Sequence, residues 1–343
     1  MKKVTAIIVN WNDRNVIGEC IQSILDQDKT EIDIDIDIDI IVSDNRSNDG
    51  SVDSIRKNFP SIHIIENEKN LGFGSAVNRG LSVARGEYLI FLNSDLVLDS
   101  KCIGELTKFL DSDSIVGGVV PKILHVDQRD TINSLGVLIN YTGIAYPNLI
   151  GQKDPKQIEP FETACGGIFM LKKEVYEVVG GFDENLFLYH EDHDLSWRIR
   201  LAGWKLLVNP KATMYHHYNF NKGVKKFYSS EKNRLYILLK NMEYKTLILI
   251  FPALILVELS QWFHAATNGW FILKIKSYLE IIKLLPIIAE KKRALKSVRK
   301  ISDKKITDIY QGSLSVSGVK NPLLTHLLSP ILNIYWKLIQ HLI

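Results

Sequence analysis

In the stretch FLNSDLVL, residues 91–98, one carboxylate stands between two apolar runs that read as buried strand. A buried charge without a partner is costly, so Asp95 must pair, neutralise or meet a cation. Short polar clusters recur upstream: Asn10, Trp11 and Asn12; Ser43, Asp44 and Asn45, followed by Ser47, Asn48, Asp49 and Gly50; then Asn67 and NLGFG at 70–74. Taken singly, each is more often a turn or a helix cap than a site. Downstream, His190, Glu191, Asp192, His193 and Asp194 crowd at a helix start, where negative charge gains up to ~1 kcal/mol. The same crowding suits a His/Asp/Glu metal site, but the order of residues selects no single ligand set.

The intervening segments must position these groups. Val4–Val9 reads as a buried strand, residues 14–26 as a helix with Val16, Cys20, Ile24 and Leu25 on one face, and Ile40–Val42 as a second strand. Ser51–Asn58 reads as a short helix, His63–Glu66 as a strand, residues 75–84 as a helix and Tyr88–Leu92 as a strand. Strands apolar throughout and alternating with helices predict an α/β fold with a mainly parallel sheet. Such sheets bind ligands beyond the carboxyl ends of their strands. The four polar clusters each follow a strand, so they fall along one sheet edge together. Before the second strand, EIDIDIDIDII (31–41) alternates strictly and predicts a strand with Asp33, Asp35, Asp37 and Asp39 on one face. Four like charges ~7 Å apart repel and attract cations. We read the repeat as a low-complexity lead-in of poorly specified register.

Further on, Cys165-Gly166-Gly167 permits a tight turn or a close ligand approach. Residues 172–179 read as a helix stopped by Gly180-Gly181, and residues 195–203 as an amphipathic helix ended by Gly203. Its pattern turns Leu195, Ile199 and Ala202 inward and Arg198 and Arg200 outward. Cys165 reads as a small wall residue with no base placed beside it, and Trp11, Trp197 and Trp204 read as packing. His216 reads equally as an ordinary histidine or as a site group, and His217 as an ordinary histidine.

The net charge of +3 hides an asymmetry: residues 222–343 carry 20 Lys+Arg against 7 Asp+Glu, or +13, leaving −10 for residues 1–221. Residues 246–257 are apolar for twelve positions, too few to span a bilayer, which needs ~20. Lys274, Lys276 and Lys283 border apolar groups over 270–289, KKRALKSVRKISDKK (291–305) is densely basic, and 322–343 is apolar-rich. This pattern predicts attachment to an anionic membrane leaflet rather than nucleic-acid binding. Three scattered cysteines, Cys20, Cys102 and Cys165, predict a reducing, cytoplasmic compartment, and the N-terminus reads as a first strand rather than a signal peptide.

The ordered set of blocks VNWN (9–12), SDNRSNDGS (43–51), NLGFGSAVNRG (70–80), FLNSDLVL (91–98), ACGGIFMLKKEVYEVVGGFDE (164–184) and EDHDLSWRIRLAGW (191–204) resembles the inverting family 2 glycosyltransferases of GT-A fold. PKATMYHHYNF (210–220) and EKNRL (231–235) match as well, and the likeness is to the rhamnosyltransferase-type branch. It implies a GT-A domain over 1–240, with a nucleotide-binding half (1–100) and an acceptor and catalytic half (101–240), followed by a helical, basic region over 241–343. The main chain near Val9 and Asn10 and the side chains of Asn12 and Asp44 would hold base and ribose, with Asn45 at the pocket edge. Asn70, Gly72, Phe73, Gly74 and Asn78 would shape the floor. Asn93-Ser94-Asp95 matches the DxD motif with its first Asp replaced by Asn. Asp95, with His216, would ligate Mg2+ or Mn2+ on the diphosphate, and Arg234 would meet the phosphates. Asp192 matches the catalytic base, with Glu191 beside it; Cys165, Gly166 and Gly167 lie on the acceptor side, which residues 120–160 help to shape. The implied partners are a UDP- or dTDP-linked sugar, a saccharide or lipid-linked acceptor, and the inner face of the cell membrane.

That chemistry suits the residue types. A hard cation neutralises leaving-group charge, and a carboxylate takes the acceptor hydroxyl's proton. A nucleotidyltransferase is disfavoured because no basic glycine-rich loop stands near the N-terminus, and a dinucleotide oxidoreductase because NLGFG is not GxGxxG after the first strand. A catalytically silent nucleotide- or saccharide-binding protein is the remaining alternative.

Overall fold

The computed structural model describes residues 2–28, 36–218, 225–314 and 324–343. Strand β1 (Lys2–Asn10) leads through helix α1 (Ile17–Leu25) to β2 (Ile36–Asp44), then α2 (Ser51–Asn58), β3 (His63–Glu66), α3 (Phe73–Leu81) and β4 (Tyr88–Asn93). Next come β5 (Leu96–Leu98), α4 (Cys102–Leu110), β6 (Val116–His125), β7 (Ile132–Ser134), β8 (Val137–Ile139), β9 (Ala145–Pro147), β10 (Phe161–Glu162) and β11 (Met170–Lys172). Helices α5 (Lys173–Val179) and α6 (Glu191–Leu201) precede β12 (Lys205–His216), and α7 (Lys225–Asn241), α8 (Tyr244–Thr267), α9 (Phe271–Val298), α10 (Asp303–Thr307) and α11 (Ser329–Ile339) complete the chain.

The main sheet runs β10-β12-β6-β11-β4-β1-β2-β3, with β5 beside β12 and β7 beside β6. β1 pairs in parallel with both β2 and β4, so Val9 lies level with Ser43 on one side and Asn93 on the other. This register brings three polar clusters to one edge. β11 runs antiparallel between β4 and β6, so the chain preceding Met170 lies toward the carboxyl end of β4; Phe169 meets Phe91 there, ring centroids 6.1 Å apart. β12 then returns antiparallel to β5, placing His216 opposite Leu96. Two apolar clusters line the two faces of this sheet.

Several local expectations shift. The first helix starts at Ile17, because Asp13 O accepts from the Val16 and Ile17 amides in a turn; its inward face is Ile17, Cys20, Ile21 and Ile24, while Leu25 is exposed. β2 absorbs the second half of the Ile-Asp repeat, with Ile36 and Ile40 buried and Asp37 and Asp39 outward; Asp33 and Asp35 lie outside the described residues. The helix expected at 195–203 begins at Glu191, and Arg198 and Arg200 are buried rather than outward. Arg198 donates to Asp194 and to the carbonyls of Val179, Gly180 and Gly181, and Arg200 to those of Lys305 and Ile306. A guanidinium goes inside when its fork of N–H groups finds carbonyls to satisfy it.

The C-terminal helices share a core with the sheet domain. Tyr141 stacks on Trp336 at 4.5 Å, and Ile139, Cys165 and Trp197 join Ile250, Val257 and Leu332 in one apolar cluster. The twelve-residue apolar run extends into a 24-residue helix, with Pro252 inside it. Lys274, expected as a border, is buried and meets Glu231 at 2.6 Å and Glu258 at 2.8 Å. The basic run is partly folded back: Lys291 meets Asp183 at 2.5 Å, Lys292 donates to Leu239 O, and Arg299 meets Asp303 at 2.7 Å.

Candidate active site

The wall expected to face a nucleotide is built where β1 and β2 end. Asn10 Nδ2 donates to Asp44 Oδ1 at 2.6 Å and lies 2.9 Å from Ser51 Oγ. Ser47 donates to both Asp44 oxygens, from Oγ at 2.6 Å and from N at 2.9 Å. Asp44 and Asn10 are therefore enclosed, and they shape the wall rather than face the opening. Facing outward is a cleft of about 490 Å3 lined by Asn12, Asp13, Arg14, Asn15, Val16 and Asp49. Asn12 holds a left-handed φ of 58°, a conformation asparagine tolerates, and accepts from the Asn48 amide at 2.8 Å. Trp11 beside it is 55% exposed, so it does not take the packing role expected for it.

The floor is a clasp of amides. Asn45 Nδ2 donates to Gly72 O at 3.1 Å, its Oδ1 accepts from Leu71 N and from Asn67 Nδ2, and Asn70 Oδ1 accepts from Gly72 N. Gly72, at φ 80°, precedes Phe73 at the start of α3; a Cβ there would sit 1.9 Å from Phe187 O, so only glycine lets the loop ahead of α6 close over it. A Cβ on Gly74 would likewise come 2.7 Å from Phe182 Cβ. Asn78 commits both ends of its amide to Phe182, donating to O and accepting from N, each at 2.9 Å. It thus ties α3 to the second half of the chain.

At the end of β4 the chain breaks at Ser94-Asp95 and crosses to β12. Ser94 Oγ donates to Asp13 Oδ2 at 2.5 Å, joining this turn to the cleft. Asn93 O accepts a long 3.7 Å contact from Cys20 Sγ. Asp95 is half-exposed rather than buried, its backbone carbonyl accepting from His217 N and its Oδ1 lying 3.2 Å from His216 Nε2. Asn133 Oδ1 lies 3.1 Å from Nδ1 of the same ring. When Nδ1–H donates to Asn133, the Nε2 lone pair faces the Asp95 carboxylate, two acceptors aimed at each other. Two ligands ~2.1 Å from an octahedral cation sit ~3 Å apart, so the spacing of this pair suits a Mg2+ or Mn2+ ion. Among the described residues no cluster of three or more His, Cys, Asp or Glu side chains forms a complete site.

The other wall comes from α6. Tyr189 and His190 are both left-handed, at φ 69° and 67°, and this turn launches the helix with Glu191 and Asp192 in its first turn. Asn233 Nδ2 holds the turn by donating to Leu188 O at 2.9 Å and Tyr189 O at 2.7 Å, and His190 Nε2 lies 3.2 Å from Ser230 Oγ. Burial pushes His190 down to about 4, with Arg234 nearby pressing the same way, so the ring is neutral near pH 7. Glu191 is buried; Asp192 is half-buried and accepts from Cys165 Sγ at 3.3 Å. A carboxylate does stand beside the thiol, contrary to expectation. Burial, then the charge of Asp192, push that thiol well above its ordinary value, which leaves it protonated and not nucleophilic. Burial also raises Asp192, against the lowering effect of the Cys165 and backbone hydrogen bonds. Gly166 and Gly167 lie at this wall; a Cβ on Gly167 would stand 3.9 Å from Asp192 Oδ2.

Arg234, expected at the phosphates, is instead enclosed. It pairs with Glu231 at 2.9 Å and with Glu258, and donates to Thr142 O at 2.9 Å. Four of its five N–H groups go to these partners and the guanidinium is buried, so it is turned into the protein rather than toward the cleft. Sequence reasoning missed Asp13, Asn133 and Asn233. Asp13 was signalled by its place after VNWN, whereas Asn133 and Asn233 act across distances that no local pattern marks.

The model of glycosyl transferase family 2 matches residues 5–180, and that of the N-terminal domain of galactosyltransferase matches residues 150–221. The chain is 26% identical over 201 residues to the N-acetylglucosaminyl-diphospho-decaprenol L-rhamnosyltransferase of Mycobacterium tuberculosis, covering 52% of this chain and 66% of that protein. It is 24% identical over 221 residues to the poly-beta-1,6-N-acetyl-D-glucosamine synthase of Staphylococcus aureus, covering 62% of this chain and 49% of the synthase. Among solved structures, S. aureus TarS residues 1–349 superposes with a TM-score of 0.52 at 17% identity, over 99% of this chain and 90% of that one. GalNAc-T7 with UDP, GalNAc and Mn2+ gives 0.56 at 18% identity, over 69% of this chain and 48% of that one. These likenesses establish the sheet and its helices as the GT-A fold.

Proposed function

This chain belongs to glycosyl transferase family 2, and from that premise we propose that it moves a sugar from a nucleotide diphosphate to a saccharide or lipid-linked acceptor at the cytoplasmic face of a membrane, inverting the anomeric centre. Two observations support this reading: the pair Asp95 and His216 after β4, spaced for a cation, and the carboxylate Asp192 on α6, whose proton affinity is raised.

The cleft lined by Asn12, Asp13 and Arg14 receives the nucleotide, with the exposed Trp11 ring at its rim for the base. UDP and dTDP are the proposed carriers; UDP and Mn2+ accompany the neighbour GalNAc-T7. Asp95 and His216 would hold Mg2+ or Mn2+, which when bound neutralises charge gathering on the departing diphosphate. Asp192 takes the proton from the acceptor hydroxyl as its oxygen bonds to the anomeric carbon. The bond from that carbon to the phosphate oxygen breaks, and its electron pair leaves on the nucleotide diphosphate. Attack and departure on opposite faces invert the centre, and the protonated Cys165 thiol offers no protein nucleophile for a second displacement.

Titration calorimetry of UDP and dTDP, each with and without Mn2+, tests the donor side, with Asp95→Asn as the control. Metal-dependent binding of one nucleotide that weakens at least tenfold in Asp95→Asn is expected. Metal-independent binding unaffected by that change overturns the metal role. Tight donor binding without transfer to any acceptor, and indifferent to Asp192→Asn, makes the chain a binding protein.

A further inference from the structure

Three C-terminal helices, α8, α9 and α11, each bury one side in the protein and leave an apolar stripe uncovered. On α8 the stripe is Tyr244, Ile248, Phe251, Ile255, Leu259 and Phe263, spaced by three and four, so it runs the length of one helical face. On α9 it is Ile272, Ile275, Leu279, Ile282 and Leu285; on α11 it is Ile331, Ile334 and Leu338. Ile248 is 73% and Ile272 79% exposed, which no isolated packing imperfection explains. The helices are neighbours: Tyr335 on α11 donates to Leu249 O on α8 at 2.7 Å, and Trp262 on α8 stacks on Tyr278 of α9 at 5.6 Å. Exposed apolar area of this extent marks an interaction surface.

We propose that α8, α9 and α11 lie flat on an anionic bilayer as one docking surface, without crossing it. α8 is long and apolar enough to cross by length and composition. Its opposite face rules that out, because Thr246, Ile250, Ala253 and Val257 are buried against the protein and Glu258 is tied to Arg234 and Lys274. A helix apolar on the outside and wedded to a domain on the inside suits the interface, sunk ~5–10 Å among the headgroups. Charge selects lipid over a second copy of the chain. Lys245, Lys276, Lys283, Arg293 and Lys337 are exposed on these same helices; against a second copy they would face one another, against an anionic leaflet they find opposite charge. Aromatic Trp262, Tyr278 and Phe271 cluster at the α8–α9 turn, the residue types that favour an interface.

The inference extends the proposed lipid-linked acceptor but does not depend on turnover. The full chain is sedimented with vesicles of phosphatidylcholine alone and of phosphatidylcholine with about a third phosphatidylglycerol, at ~0.1 and ~0.5 M salt. Binding to the anionic vesicles, weakened at least tenfold by high salt and by Ile248→Asn/Leu259→Asn/Ile272→Asn, is expected. The variant's unchanged circular dichroism and UDP affinity show that it is folded. Failure to sediment with either vesicle overturns the proposal, as does a concentration-dependent dimer that the same triple change dissolves. Protein that alkaline carbonate cannot strip from the vesicles overturns the flat orientation. Vesicle binding by a chain that transfers no sugar leaves this surface standing and fails the transferase reading alone.

Discussion

Two sets of carboxylates sit on either side of α6, and the fold treats them oppositely. At the sheet edge, Asp95 and Asp192 touch a histidine, a thiol and backbone amides, and no lysine or arginine among the described residues neutralises them. Behind it, each carboxylate is matched. Lys240 bridges Asp183 at 2.7 Å and Asp194 at 2.6 Å, Arg198 meets Asp194 at 3.0 Å, and Glu231 is shared by Arg234 and Lys274. Burial works to protonate Asp183, yet the charge of Lys240, then Lys291, holds it well below the carboxylate range. The same balance sets Glu231 at about 2, with Arg234 and Lys274 overcoming burial. Charge consumed inside the protein builds the scaffold, and charge left without a counter-ion is available for a cation or a proton. Asp192 and Asp194, two residues apart, fall on opposite sides of this divide.

That contrast predicts effects of different kind and size. Asp192→Asn should leave melting and donor affinity unchanged and lower kcat by about 10²–10⁴-fold. In the wild type, kcat/KM should fall on the acid side with an apparent pKa above the ordinary carboxylate value, since the base is lost as Asp192 protonates. Lys240→Met should do the reverse, costing about 1–3 kcal/mol in urea unfolding because it removes the cation shared by two buried carboxylates and leaves Asp183 to Lys291 and Asp194 to Arg198; an unchanged Lys240→Met midpoint would break the comparison. Asn233→Ala tests the link between the two sides. Freed of its clamp, the left-handed turn at Tyr189 and His190 relaxes, and kcat should drop about tenfold at unchanged UDP affinity. An equal loss in UDP affinity would make Asn233 merely structural.

The last effect concerns pH. His190 is lowered to about 4 in the native state from 6.5. Below pH 6.5 the unfolded chain therefore takes up a proton that the native chain refuses, so stability declines as pH falls from 6.5 toward 4 and the slope ends there. His190→Gln should flatten that part of the melting profile.

Much of the front half was legible because its signals are local. The bounds of Ser51–Asn58 and His63–Glu66 and the strand nature of Tyr88–Leu92 follow from apolar runs and turn residues a few positions apart. The parallel register that aligns Val9 with Ser43 and Asn93 follows from strand–helix alternation. So the edge, its polar clusters and the candidacy of Asp95 and Asp192 are legible in the order of residues itself. Periodicity failed where burial was decided by distant partners. Arg198, Arg200, Arg234 and Lys274 look like solvated charges in sequence, and only the carbonyls and carboxylates brought to them by other elements make their burial tolerable. Asn78 looks free in sequence for the same reason in reverse, since Phe182, which engages both ends of its amide, lies 104 residues away. A sequence determines which groups a chain carries and how its nearest turns fold. Which charge remains for chemistry is decided by tertiary contact alone, because pairing a charge requires two groups within a few ångströms and chain order does not measure that distance.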